Sequence, residues 1–178
     1  IAAATTAILG WFVSIGSTQV DFFSVSVMGY DTSAEFLLDY EEIGSELMLN
    51  NLYPTKQYRF EIILKNEGDE QAYCDIYFSG LSDNLSDYGI ELDMTGIFAV
   101  KREGEQTLYY FREIERDGRI YIYENSIVPP NQNKSAIFYL IFNDSYMYED
   151  GTITNQSDII DQFQNKVFRM NNLKVEFH

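Results

Sequence analysis

Short β-rich runs broken by turn residues, with no sustained helical period, restrict the fold of this chain more than any other feature. Residues 107–124, TLYYFREIERDGRIYIYE, are the strongest local case. Asp117-Gly118 supplies the positive φ angles that a tight hairpin turn demands, and aromatic and β-branched residues flank it on both sides. The same grammar runs through most of the sequence. Residues 18–30 alternate, with Val25 and Val27 on one face and Ser24 and Ser26 on the other. The run 35–39 is too short to assign to helix or strand. Residues 51–55 read as a turn before a long strand in which Tyr58, Phe60, Ile62 and Leu64 alternate with Arg59, Glu61 and Lys65. Residues 66–69 turn the chain, and 71–78 form the next strand.

Residues 79–93 are polar, acidic and interrupted by glycine, and read as a surface loop. Strand-like runs return at 96–102 and 107–115. After a break at 128–133, the continuous apolar run 136–142 reads as the centre of a sheet. Residues 157–164 fit one short helix, with Ser157 as N-cap and Ile159, Ile160 and Phe163 as its apolar stripe. The chain closes on a strand that points Leu173, Val175 and Phe177 one way. About eight to ten strands with at most one or two helices, and no helix-strand alternation, exclude a parallel α/β sheet. The expected fold is all-β: an antiparallel β-sandwich, jelly-roll-like, with an extended N-terminal strand. Residues 1–17 form an arm and 18–178 the sandwich domain, a size sufficient for one core.

The arm reads IAAATTAILGWFV over its first thirteen residues. As an extended strand it places Ile1, Ala3, Thr5, Ala7, Leu9, Trp11 and Val13 on one face, with Ile8 and Phe12 on the other. Both faces are apolar or small, the pattern of a strand buried on two sides. The stretch is too short to span a bilayer as a helix. It lacks the basic segment that precedes a signal-peptide core, and with no Met at its start the expectation is that an upstream targeting segment has been removed. Left in water such an arm aggregates, so it must dock. Docking on a neighbouring copy is donor-strand complementation, a head-to-tail contact that gives a filament. A leftover membrane segment, or a first strand folded on its own sheet, are the alternatives.

The formal charge of -16 repels phosphate backbones and anionic lipid heads, which argues against nucleic acid as a partner. Cys74 is the sole cysteine and lies in a strand-like run, so a buried inert thiol is expected, with an intermolecular disulfide as the alternative. His178, the last residue, is the sole histidine. A Ser-His-Asp or Cys-His arrangement would have to use it, no His-Glu-x-x-His motif exists, and phosphate-binding glycine loops are missing, so no enzyme is expected. Asp83, Asp87, Glu91 and Asp93 offer hard oxygen ligands suited to a weak calcium site, at a spacing unlike an EF-hand; a solvated acidic loop is the plainer reading, and no other cofactor is expected. Sequons at Asn84, Asn133, Asn143 and Asn155 lie in or beside predicted loops, as glycosylation acceptors of a secreted chain do.

Three stretches resemble the TasA and camelysin family of secreted fibre proteins and the related archaeal bundling pilins. Residues 10–18 (GWFVSIGST) are similar to the Ala-Trp-Phe-Thr/Ser stretch near that family's leader segments. Residues 51–68 resemble its Asn-Leu-x-Pro-Gly-Asp turn, the strand that follows and the Asn-x-Gly that ends it. The closing NNLKVEF is similar to its last strand. The likeness implies a jelly-roll subunit, exported by the general secretory route, extracellular or on the cell surface, with no membrane contact in its mature form and with itself as partner. It departs from the family in starting well before Trp11, where bacterial relatives are cleaved close to that region. A monomeric adhesin or carbohydrate-binding module, stacking sugars on Tyr109, Tyr110, Tyr121 and Tyr123, is the competing expectation.

Overall fold

The structure is a computed structural model that describes residues 18–20, 22–26, 31–38 and 47–178. The donor arm assigned to residues 1–17 lies outside the described residues. Two sheets pack face to face. One runs in the order β1 (Thr18–Val20), β2 (Phe23–Ser26), β14 (Phe168–Phe177), β6 (Ala72–Asp83), β10 (Arg119–Val128), β9 (Glu115–Arg116), and β4 (Leu47–Leu49) shares the edge of β14 with β2. The other runs β3 (Thr32–Leu38), β5 (Gln57–Asn66), β11 (Gln132–Phe142), β7 (Phe98–Arg102), β8 (Leu108–Tyr110). A small ribbon pairs β12 (Tyr146–Met147) with β13 (Ile153–Thr154). The chain is an all-β sandwich, as its alternation predicts.

Period-two patterning sets the register. In β5 every second residue from Tyr58 to Asn66 is buried, and in β14 Leu173, Val175 and Phe177 all face the core. The apolar run 136–142 falls in β11, the middle strand of its sheet. Phenylalanines from both sheets meet between them. The Phe60 and Phe138 rings stack at 5.0 Å, and Phe78 from the opposite sheet sits edge-on to both at 5.6 and 5.9 Å. Phe98 touches Phe111, Phe142 and Phe168 at the far end of the same layer.

The structure corrects the sequence reading at four places. First, residues 79–83 are not loop: β6 continues to Asp83, because Gly80 takes φ +66° and bends the strand instead of ending it. A Cβ at Gly80 would lie 2.7 Å from that of Asn171, so the kink also makes room for the break in alternation on β14. Second, the Asp117-Gly118 hairpin forms with positive φ at both residues, but its first arm is only β9. Phe111 and Ile114 are both buried, and a strand would send them to opposite faces. One helical turn, α1 (Phe111–Ile114), puts them on the same side, held by Glu113 accepting from the Tyr110 amide at 2.7 Å. Third, Ser157 opens the helix α2 (Ser157–Ile160) rather than capping it; Gln156 precedes it, and its amide donates to Thr154 Oγ1. Ile160 and Phe163 enter the core as expected, with Ile159 packed against it. Fourth, one pairing is parallel: β2 lies alongside β14, so the first described hairpin sits beside the last strand. Every other strand pairing among the described residues is antiparallel.

The Phe60–Phe78–Phe138 cluster yields a quantitative expectation. Phe138→Ala removes a fully buried ring that touches both sheets and should cost about 3–5 kcal/mol in urea unfolding, with the m-value unchanged.

Candidate assembly edges

A sandwich has four sheet edges, and each leaves backbone groups in need of partners. In the five-stranded sheet, β3 pairs with β5 from Thr32↔Asn66 to Leu38↔Phe60 and has no strand on its other side among the described residues. The Asp31 carbonyl accepts from the Glu67 amide at 2.7 Å, which fixes the phase of the ladder. Asp31, Ser33, Glu35 and Leu37 therefore turn their backbone groups toward β5. Thr32, Ala34, Phe36 and Leu38 turn theirs outward. Ala34 and Phe36 are buried, so the edge borders the core itself. Just across the gap between sheets, the Phe23 ring of β2 lies 4.5 Å from that of Phe36.

The diagonally opposite edge is built differently. Strand β10 has ten residues, but β9 covers its outer side only at Arg119 and Ile120. Further along, side chains from the facing sheet take the place of a strand. Arg102 Nε donates to the Ile122 carbonyl at 2.6 Å, and Lys134 Nζ donates to the Ile127 carbonyl at 3.1 Å and to Ser126 Oγ at 3.0 Å. Asn66 Nδ2 donates to the Val128 carbonyl at 3.0 Å. In the other direction, the Tyr123 hydroxyl donates to the Ile137 carbonyl of β11 at 2.8 Å. The Arg102 guanidinium lies over the rings of Tyr109 and Tyr123, at 4.5 and 5.4 Å. Two shifts in the β6–β10 register, with Asn125 at φ 47°, make this edge irregular as well.

These contacts occupy the tyrosines on which sugar stacking was expected. Tyr109 and Tyr123 pack on Arg102, and Tyr110 is buried with its hydroxyl 2.7 Å from Ser145 Oγ. Tyr121 tilts against Tyr77 at 5.2 Å on the outer face of the larger sheet. Tyr77 is buried there beneath the guanidinium of Arg119 at 4.9 Å, and burial together with its bond to Glu176 raises its phenol well above the ordinary value.

The four acidic residues of 83–93 do not converge. Asp83 accepts from the Leu85 amide, while Asp87 and Glu91 are exposed. Asp93 caps a turn of 3₁₀ helix through Thr95 and pairs with Arg112 at 2.6 Å. Burial works against its charge, but the bonds from Thr95 and Arg112 outweigh it and hold the carboxyl below the ordinary aspartate value. Among the described residues no group of three or more acidic, histidine or cysteine side chains is placed to hold a metal ion. An open cleft of about 370 Å³ beside Asp93 is lined by Arg112, Tyr146, Tyr148, Glu149 and Asp150.

Of the four sequons, Asn133 and Asn155 are exposed, and Asn84 is half-buried with its Oδ1 accepting from the Val167 amide. Asn143 is buried together with its Nδ2, which closes that sequon in the folded chain. Cys74 faces the core, and burial pushes its thiol up to about 12, the inert state expected of it. The exposed His178 ring lies 3.2 Å from Asn125 Oδ1. Comparison with protein-family profiles, curated proteins and solved structures finds no match to this chain, so no family is assigned.

The closed edge yields a pH test. Burial pushes the Tyr123 hydroxyl from 10.0 up to about 12, so the fold favours its neutral form. That contribution is complete below the unfolded value and is lost as pH rises toward the folded one. The Tyr123→Phe variant should start less stable at neutral pH, having lost the bond to Ile137. In urea unfolding it should then show a shallower fall between pH 10 and 12 than the parent. Parallel curves would contradict the assignment.

Proposed function

We propose that this chain is a structural subunit of an extracellular fibre or pilus, polymerising head to tail through its N-terminal apolar strand. The reading is that of a jelly-roll-like, secreted homopolymer of the cell surface or biofilm matrix. Its partner is another copy of itself, with neither nucleic acid nor membrane engaged by the mature chain. What carries the reading is a match of need and opportunity. The arm is apolar on both faces and needs burial. Strand β3 has outward-turned backbone groups at Thr32, Ala34, Phe36 and Leu38 without a strand partner among the described residues.

Strand addition satisfies both sides. The backbone of Ile1, Ala3, Thr5, Ala7 and Leu9 supplies ladder bonds, while Ile8, Leu9, Trp11, Phe12 and Val13 supply apolar area. The contact joins an arm to a different surface, so it repeats without closing and the product is a filament. The packing of Tyr109, Tyr110, Tyr121 and Tyr123 against neighbouring side chains favours this reading over the competing carbohydrate-binding one. Deletion of residues 1–9 should leave a folded monomer by sedimentation and no filaments by negative-stain microscopy. Filaments of unchanged appearance after that deletion would refute the proposal.

A further inference from the structure

The β10 edge has a consequence that does not depend on the fibre reading. We propose that Arg102 and Lys134 form an edge lock, which denies β10 to strand addition by a second copy of this chain. Three observations lead there. Strand β10 is as long as β5, yet β9 pairs with only its first two residues, which leaves an edge of the kind on which β-proteins associate. Its sequence from Tyr121 to Val128, YIYENSIV, has the β-rich, weakly charged character that templates intermolecular pairing, and Ile127 is 44% exposed there. Two of the side chains that reach this edge, Arg102 and Lys134, are cations taken from a chain that has few of them, 12 against 28 acidic residues.

The chemistry of the lock is specific. A carbonyl that accepts from Arg102 or Lys134 is already satisfied, and an incoming strand must displace a charged donor to reach it. Displacing Arg102 also strips the guanidinium from the rings of Tyr109 and Tyr123 and from the 3.6 Å contact with Glu105. Lys134 is exposed and reaches across the seam to Ser126 and Ile127, so an approaching copy meets its charge first. The lock leaves the outer backbone groups of β3 untouched.

The test uses the full chain and the double variant Arg102→Met/Lys134→Met. Light scattering should detect larger species than the parent forms at equal concentration. Hydrogen exchange should slow by about tenfold at amides within 121–128 in those species, where new strand pairing forms. Adding Ile127→Lys, a new charge on the same exposed strand, should return the mass distribution to that of the parent. A double variant that keeps its far-ultraviolet circular dichroism, its mass distribution and its exchange at 121–128 overturns the proposal. If the double variant unfolds, Lys134→Met alone decides, because that side chain is exposed and outside the core. Association above the parent level then supports the lock, and a distribution identical to the parent's overturns it.

Discussion

One layer of aromatic rings between two sheets is the constraint from which the rest of the structure follows. Phe60, Phe98, Phe138 and Phe142 from one sheet and Phe78 and Phe168 from the other can be dry only if the sheets face each other. Burying such rings is worth more than the preferences of any single segment. It overrides the strand-like composition of residues 111–114, which turn as a helix so that Phe111 and Ile114 reach the same layer. It also explains why β6 bends at Gly80 and does not stop: beyond the kink the same strand still pairs with β14 as far as Asp83↔Phe168.

A face-to-face sandwich solves burial and creates edges. This chain treats its edges unequally. At β10 the sheets are stitched together by Arg102, Lys134, Asn66 and Tyr123, whose donors reach backbone carbonyls on the opposite sheet. Asn66 shows how economically this is done. It is 2% exposed, its Oδ1 accepts from the Gly68 amide to shape the turn after β5, and its Nδ2 bonds Val128 and Glu70 carbonyls to tie that turn to β10. At β3 no comparable side-chain stitching is seen among the described residues. That difference among the described residues is what gives the assembly proposal its direction.

Much of this architecture was legible in the sequence, because alternation encodes which face of a strand is dry. Leu173, Val175 and Phe177, the Tyr58-to-Leu64 series and the Asp117-Gly118 hairpin all follow from period and turn chemistry. Where structure and sequence expectation differ the cause is shared: local composition does not set local structure here. Gly80 and the serines around it look like a loop, yet long-range pairing with β14 decides their conformation. Asp83, Asp87, Glu91 and Asp93 are close in sequence but point to different partners, one of them Arg112 across a turn. The parallel β2–β14 pairing joins residues about 150 positions apart and has no local signature. Arg102 was illegible for the same reason, since its role depends on three tyrosine and backbone neighbours that only the fold assembles.

The central claim is that copies associate through the edge at β3 and not through the stitched edge at β10. Residue-resolved hydrogen exchange, comparing assembled full-length chain with the form lacking residues 1–9, reads it directly. The account predicts that the amides of Thr32, Ala34, Phe36 and Leu38 exchange slowly in the assembly and rapidly in the shortened form, while those of 121–128 do not change. Equal protection of the β3 amides in both forms, or protection gained at 121–128 instead, would contradict it.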